Sequence, residues 1–282
     1  MKKLYAVLGD PIGQSMSPIM HNDLFSYYQM DAAYHPFQVK SEDLKAAILG
    51  LRAIGISGFN VTVPHKSTII PLLDGVDELA MSIGAVNTVV NEDGRFVGYN
   101  TDGLGFLKGL STYLPSISDR KVLVIGAGGA ARAIYFTLAY NKPQVIDIAN
   151  RTIEKAEELI EACPFEVSSR ALALNDANNH LEDYDVIIQT TMIGMSPKVL
   201  EQPLMITNLN PHALVCDIIY NPLETKLLKE ARQRGATTQN GLDMFVYQGA
   251  LAFEKWTGIT PDVQRMKENV LKQLGGTQNV NR

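Results

Sequence analysis

The stretch Lys121-Val-Leu-Val-Ile-Gly-Ala-Gly-Gly-Ala-Ala-Arg132 decides the fold. Its apolar run stops at Gly126, and a helix-forming run leads from Ala130 towards Tyr140. The order is strand, tight turn, helix, with the spacing Gly126-x-Gly128-x-x-Ala131. Gly126 permits the turn, Gly128 lets the backbone approach a pyrophosphate, and Ala131 is small enough for the helix to lie on the strand. The N–H groups at the helix start and the helix dipole favour an anion there. A lone glycine fingerprint is a weak signal, and a ligand-free turn could carry the same glycines. With strand and helix both in place, it marks a candidate nucleotide site.

The next strand of this unit is expected over 144–149, ending in Asn150-Arg151-Thr152. In an NAD binder an Asp or Glu near such a tip grips the ribose hydroxyls. Here no acid stands at the tip and Arg151 does, which suits a 2′-phosphate and points to NADP rather than NAD. The plainer alternative is a solvated Arg151 ahead of a helix capped by Thr152. Further strands are expected over 185–190, 214–220 and 236–239, with a helix over 223–234. This alternation implies a parallel, doubly wound sheet. Two helical segments, 242–256 and 261–274, then find no strands left to cover. They are expected to dock on the first part of the chain, making that domain discontinuous, and 275–282 reads as a frayed tail.

Upstream, the apolar start stops at Gly9-Asp-Pro11, too short for a signal peptide, and reads as a first strand. Ser17-Pro18 reads as a helix start with Ser17 as N-cap, and the stripe Ile19, Met20, Leu24, Phe25, Tyr28 carries the helix to about Gln29. Ser15 and Ser17 at that start could bind a carboxylate or phosphate. Plain capping by Ser17, with Ser15 in solvent, is at least as economical. A second strand is expected over 34–39 and a helix over 41–51, with Ser41 as N-cap.

In Gly58-Phe-Asn-Val-Thr-Val-Pro-His-Lys66, alternation places Asn60 and Thr62 on one strand face, and Lys66 falls in the turn beyond. Most lysines are simply solvated. The polar face leading into Lys66 sets this one apart, because ligands bind beyond the carboxyl ends of strands in open α/β sheets. A helix is expected over 72–83, a strand over 84–90 and its hairpin return over 95–99, around an Asp93-Gly94 turn. That register sets Asn87 opposite Asn100, with Asp102 on the same face, though one bulge would shift it. These polar residues could also do no more than cap strand ends. A helix over 103–114 crosses to the glycine turn.

The 282 residues suffice for two domains, and 46% hydrophobic with 20% charged residues is an ordinary globular balance. A net charge of −5 argues against nucleic acid and against an anionic membrane surface. Cys163 and Cys216 lack Cys-x-x-Cys spacing and read as reduced core thiols. The five histidines show no ligand spacing, so no metal is expected. No apolar run reaches membrane-spanning length, and a cytoplasmic protein is expected.

A nicotinamide-binding domain beside a polar crevice suggests hydride transfer, for which the protein must orient the substrate and handle the proton on its oxygen. Lys66, oriented by Asp102, is the candidate for that proton. The segments Gly9-Asp-Pro-Ile-x-x-Ser-x-Ser-Pro-x-x-His-Asn22, Asn60-Val-Thr-Val-Pro-x-Lys66, Gly84-Ala-Val-Asn-Thr88, Asn100-Thr-Asp102, Gly126-Ala-Gly-Gly-Ala-x-Arg132, Asn150-Arg-Thr152 and Gly241-x-x-Met-x-x-x-Gln248 together resemble the shikimate dehydrogenase family. The resemblance spans nearly the whole chain, and only the glycine motif is shared widely with other folds.

It implies NADP-linked interconversion of shikimate and 3-dehydroshikimate, a step towards chorismate and the aromatic amino acids. By the same resemblance Ser15 and Ser17 hold the substrate carboxylate, with Tyr220 close by. Thr62, Asn87, Asp102 and Gln248 hold its hydroxyls, with Asn60 nearby, and Lys66 transfers the proton. Gly126, Ala127, Gly128, Gly129 and Ala130 take the pyrophosphate. Asn150, Arg151 and Thr152 take the 2′-phosphate, and Ile218 and Gly241 lie near the nicotinamide. The implied architecture is a Rossmann-like NADP domain over 104–241 and an α/β substrate domain over 1–103 and 242–282, with the active-site cleft between them. A monomer and a homodimer both remain open, with a slight preference for the homodimer. Two departures stand out: Gln189-Thr190-Thr191 replaces the Asn-Ala-Thr of many members, and His65 replaces a common Phe. A quinate/shikimate dehydrogenase using NAD as well, and a non-catalytic NADP sensor on the same fold, are the alternatives. Arg151 speaks against the first, and the presence of Lys66 and Asp102 against the second.

Overall fold

The computed structural model describes residues 2–280, with side-chain surroundings for 2–275. In chain order its elements begin with β1 (Lys3–Gly9), α1 (Ser17–Tyr27), β2 (Ala32–Gln38), α2 (Leu44–Ala53), β3 (Gly58–Val61), β4 (Gly75–Val76), α3 (Glu78–Ile83), β5 (Thr88–Glu92), β6 (Arg95–Tyr99) and α4 (Asp102–Leu110). They continue with β7 (Lys121–Ile125), α5 (Gly129–Tyr140), β8 (Val145–Asn150), α6 (Ile153–Glu161), β9 (Ala171–Ala173) and α7 (Leu174–Asn178). Last come β10 (Val186–Gln189), β11 (Leu214–Asp217), α8 (Lys226–Gln233), β12 (Thr237–Gln239), α9 (Leu242–Thr257) and α10 (Val263–Val280). The chain divides into two compact units, Met1–Thr101 with Val246–Arg282, and Asp102–Phe245. No helix of the described residues is long and apolar enough to cross a membrane.

In the first unit the sheet order is β2-β1-β3-β5-β6-β4. The pairs β1–β2 and β1–β3 are parallel, because helices separate these strands in sequence. The pair β5–β6 is an antiparallel hairpin around Asp93 (φ 52°) and Gly94 (φ 91°), both in the left-handed region a two-residue hairpin turn requires. Thr88 pairs with Tyr99 and Glu92 with Arg95, so the register expected from the sequence holds without a bulge. One sheet face packs Leu8, Phe59 and Val61 against Leu44, Ile48 and Leu51 of α2. On the other, Tyr5 stacks on Phe25 of α1 and lies against Trp256 of α9, both at 5.1 Å. Side chains of this size each contribute about 1.5–3 kcal/mol on full burial. A Cβ on Gly58 would strike the Trp256 indole, whose Nε1 donates to the Val89 carbonyl at 2.9 Å. Arg265 of α10 donates to Asp23 of α1 at 2.7 Å. The C-terminal helical pair therefore packs on this sheet.

The second sheet has the order β12-β11-β10-β7-β8-β9, with every pair parallel. Chain order therefore runs outward in both directions from β7 and β10, the doubly wound pattern. One face packs Leu123, Ile125, Ile187 and Val215 against Leu227 and Leu228 of α8. On α5 the run from Ala133 to Ala139 is buried throughout, and Gly103 of α4 approaches the Ala133 carbonyl and Thr137 too closely to admit a Cβ. The edge strand β9, not anticipated from its three residues, is tied to β8 through buried Asp147. That carboxylate accepts the Arg170 guanidinium at 2.7 Å, the Arg170 N–H at 2.9 Å and the Tyr184 hydroxyl at 2.6 Å.

Several expected boundaries move, for local reasons. The helix expected over 72–83 is interrupted: Asp74 accepts the Phe96 N–H and Arg52, both at 2.7 Å, pinning the chain beside β6 as β4. The helix restarts at Glu78 with Asp77 as its cap. Ser17 is the first residue of α1 rather than its cap, and its N–H donates to Ser15 Oγ at 3.3 Å. Ser41 opens a 3-10 turn and does not cap α2. The strand expected from 84 begins at Thr88, because Gly84 (φ 70°) ends α3 in the left-handed region. The strand expected to reach 220 ends at Asp217, and α8 begins only after a Thr225 cap. Fraying from 275 is not found: α10 runs to Val280, and the last two residues lie outside the described residues. Cys216 is buried, but Cys163 is only half-buried, so one of the two expected core thiols is not in the core.

Candidate active site

In the second unit strand order reverses between β7 and β10, and ligands of doubly wound sheets bind in the crevice at that point. β7 runs into Gly126, whose φ of +111° favours glycine. A Cβ there would also stand 2.6 Å from Thr190 Oγ1 and 2.9 Å from Thr191 Cγ2, just beyond β10. At Gly128 and Gly129 the situation is the reverse, because a Cβ would find nothing within 4 Å. Gly128 precedes α5 and offers no side chain to the first-turn N–H groups. Ala131 is fully buried beneath them. This is a helix start whose backbone is open to an anion, and it fits a pyrophosphate.

Beyond β8 the Asn150 amide donates to the Thr152 carbonyl at 2.8 Å, closing a turn around Arg151. Arg151 is exposed and engages no carboxylate among the described residues, so its guanidinium fits a phosphate. Thr152 holds the cap position of α6, yet its hydroxyl caps nothing. Ile218 and Gly241 come together: the Gly241 N–H donates to the Ile219 carbonyl at 2.9 Å, and a Cβ on Gly241 would strike the Ile218 carbonyl. Tyr220 stacks on Phe245 at 4.7 Å. Asp217, just before them, accepts the Ile219 N–H at 3.0 Å and the Thr225 hydroxyl at 2.7 Å. Burial outweighs these bonds and pushes its carboxyl up to about 6. Asp102 opens α4 and is buried.

In the first unit the order reverses between β1 and β3. The two chains leaving these strands run side by side, with the Thr62 N–H donating to the Leu8 carbonyl and the Asp10 N–H to the Val63 carbonyl, both at 2.9 Å. One leads to Ser15 and Ser17, the other through Thr62 to Lys66. Lys66 is half-buried, and its carbonyl accepts the Val86 N–H at 2.7 Å. His65 turns into the core, where its Nε2 meets the Val39 carbonyl at 2.6 Å and fixes the turn ahead of Lys66. Gln248 lies half-buried on α9.

A buried hydrogen-bond chain links two of the expected site residues, Asn60 and Asn87. Tyr34 donates to Asn60 Oδ1 at 2.7 Å, and Asn60 Nδ2 donates to the Asn87 carbonyl at 3.0 Å and to Thr88 Oγ1 at 3.1 Å. Asn87 Oδ1 in turn accepts the Thr101 N–H at 2.8 Å. The polarity of this chain is fixed. The Asn87 carbonyl can only accept, so the Asn60 amide nitrogen must face it and Oδ1 must face Tyr34. Tyr34 was invisible as a site residue in the sequence, where it only begins a strand. Its role follows from the β1–β2 and β1–β3 registers, which set Tyr34 and Gly58 on either side of Tyr5. His21 packs against the Tyr34 ring at 4.6 Å and Trp256 at 5.2 Å. Both its ring nitrogens are buried without a partner among the described residues, and burial pushes the imidazole down to about 3. Among the described residues no cluster of three His, Cys, Asp or Glu could hold a metal.

A parallel sheet of this order, with an open glycine turn at its switch point, defines the dinucleotide-binding class of doubly wound proteins. Family models place the chain further. The shikimate dehydrogenase substrate binding domain matches residues 7–89, the shikimate / quinate 5-dehydrogenase model 110–220, and the shikimate 5′-dehydrogenase C-terminal domain 241–271. A shikimate dehydrogenase (NADP(+)) of Bacillus cereus is 57% identical over 277 residues, covering 98% of this chain and all of the relative. The protein belongs to the shikimate dehydrogenase family. A crystal structure of a shikimate dehydrogenase in complex with NADP+ matches with a TM-score of 0.91 at 42% identity, covering 97% of this chain and 96% of the other. The Thermus thermophilus shikimate 5-dehydrogenase in complex with NADP(H) and shikimate matches with a TM-score of 0.87 at 32% identity, over 96% and 99% of the two chains.

Proposed function

We propose that this protein catalyses the NADP-dependent, reversible reduction of 3-dehydroshikimate to shikimate, on the way to chorismate and the aromatic amino acids. The observation that carries the reading is the fixed Tyr34–Asn60–Asn87 chain beside the Lys66 turn. It presents polar groups of set direction to a small polyhydroxylated acid. Residues 1–103 and 242–282 serve as the substrate domain and 104–241 as the NADP domain.

Ser15 and Ser17 hold the substrate carboxylate, with Tyr220 near it. Thr62, Asn87, Asp102 and Gln248, with Asn60 behind them, hold the ring hydroxyls. Gly126, Ala127, Gly128, Gly129 and Ala130 hold the pyrophosphate, while Asn150, Arg151 and Thr152 hold the 2′-phosphate. Ile218 and Gly241 border the nicotinamide, which when bound as NADPH supplies the hydride. Lys66 gives a proton to the carbonyl oxygen as the alcohol forms and takes it back in the reverse direction. The protein works in the cytoplasm. The test of this reading is the Lys66→Ala variant, expected to bind NADP and shikimate while losing turnover; near-normal turnover would remove Lys66 from its role.

A further inference from the structure

Gln189 ends β10 with its side chain fully buried. Its carboxamide is spent on the backbone of the loop that follows. Nε2 donates to the Thr191 carbonyl at 3.2 Å and to the Ile193 carbonyl at 3.0 Å, and Oε1 accepts the Thr191 N–H at 2.8 Å. The Thr191 hydroxyl closes the same loop by accepting the Ile193 N–H at 3.1 Å. From the other side, the Thr190 N–H and hydroxyl both donate to the Ile125 carbonyl, at 3.0 and 2.7 Å, and hold the loop against the Gly126 turn.

Burying a carboxamide is costly unless all its groups are bonded, and an apolar side chain would fill the same space more cheaply. The loop is no part of the core: Met192 at its apex is 76% exposed. What the amide secures is the shape of an exposed backbone segment at the strand-order reversal. A crevice wall fixed in advance spares a ligand the cost of ordering it.

We propose that Gln189 is a positioning residue for the dinucleotide, holding 191–193 as the wall of the crevice that faces the Gly126 turn. The proposal rests on the NADP reading above. Met at this position keeps the length and volume of Gln189 but can serve neither the Thr191 N–H nor the Ile193 carbonyl. Thr191→Val removes only the half-buried hydroxyl that closes the loop, so it weakens the same wall without touching the core.

The test measures NADPH affinity by fluorescence titration, the KM for NADP and for shikimate, and the Tm, in wild type, Gln189→Met and Thr191→Val. The expected result for Gln189→Met is a dissociation constant for NADPH raised on the order of tenfold, with the shikimate KM unchanged within about twofold. Thr191→Val is expected to shift in the same direction by less, and carries the test alone if Gln189→Met does not fold. Folded variants that bind NADPH as wild type does would overturn the proposal. So would equal weakening for NADPH and shikimate alongside a lowered Tm, which would make the role merely structural. If wild type itself bound no NADPH, the NADP reading would fall with it, an outcome distinct from wild type and variants binding alike.

Discussion

The Tyr34 phenol gives its one proton to Asn60 Oδ1 across 2.7 Å, and both residues are buried. Because Asn60 Nδ2 is committed to the Asn87 carbonyl and Thr88, nothing else in this chain can turn to satisfy that oxygen. Tyr34→Phe therefore leaves a buried acceptor unpaired, at a cost of about 1–3 kcal/mol. It also removes the donor that fixes the Asn60 amide. The variant is expected to lose that stability in urea unfolding and to show a raised KM for shikimate with a smaller change in kcat. Wild-type stability would show that Asn60 finds another donor.

Much of this was legible in the sequence, and the remainder was hidden for physical reasons. The 121–132 stretch announced strand, turn and helix because a glycine fingerprint acts over one local segment. The hairpin register was equally local, set by Asp93-Gly94. Tyr34 was not legible, because its partner Asn60 lies on another element and the two meet only through strand pairing. The break at β4 was missed because periodicity does not register one carboxylate, Asp74, binding a distant backbone N–H. At Ser17 the Ser-Pro signal located the helix start but misplaced the cap by one residue, within the ordinary variation of helix ends.

Arg151 stands exposed beyond β8, with no carboxylate among the described residues to occupy it. Arg151→Ala is expected to raise the KM for NADP on the order of tenfold or more while leaving that for NAD nearly unchanged, because only NADP carries the 2′-phosphate. Steady-state kinetics with both nucleotides decide the matter. Equal effects would remove the 2′-phosphate from Arg151.

His21 is pushed down to about 3 from its ordinary 6.5 by burial. The unfolded chain thus takes up a proton at higher pH than the folded protein does. The stability His21 contributes is fully present above about pH 6.5 and is lost as pH falls towards 3. His21→Leu is expected to flatten that acid loss in the first unit, followed through Trp256 fluorescence during unfolding at a series of pH values. An unchanged acid slope would place the lability elsewhere.

Asp217 has the opposite sign. Its folded value of about 6 lies above the ordinary 3.8, so its contribution is fully present below about pH 3.8 and is lost as pH rises through 6. Asp217→Asn is expected to remove this negative slope between pH 4 and 6, worth up to about 3 kcal/mol. Unfolding difference curves against wild type across that window provide the check. A slope retained in the variant would assign it to another group.

Lys66 carries the proposed chemistry, and Lys66→Ala is expected to lower kcat by a factor on the order of 10²–10⁴, the usual yield of a positioned acid–base group. Isothermal titration with NADP and shikimate should show both still bound. Loss of shikimate binding in step with turnover would make Lys66 a binding residue instead.

The proposed activity is tested most directly by a spectrophotometric assay of the purified protein, following NADPH formation when shikimate is offered with NADP, with parallel runs using quinate and NAD. Rapid reduction of NADP by shikimate is expected, with quinate and NAD far poorer. Turnover of quinate with NAD equal to that of shikimate with NADP, or no turnover with any pair, would contradict it.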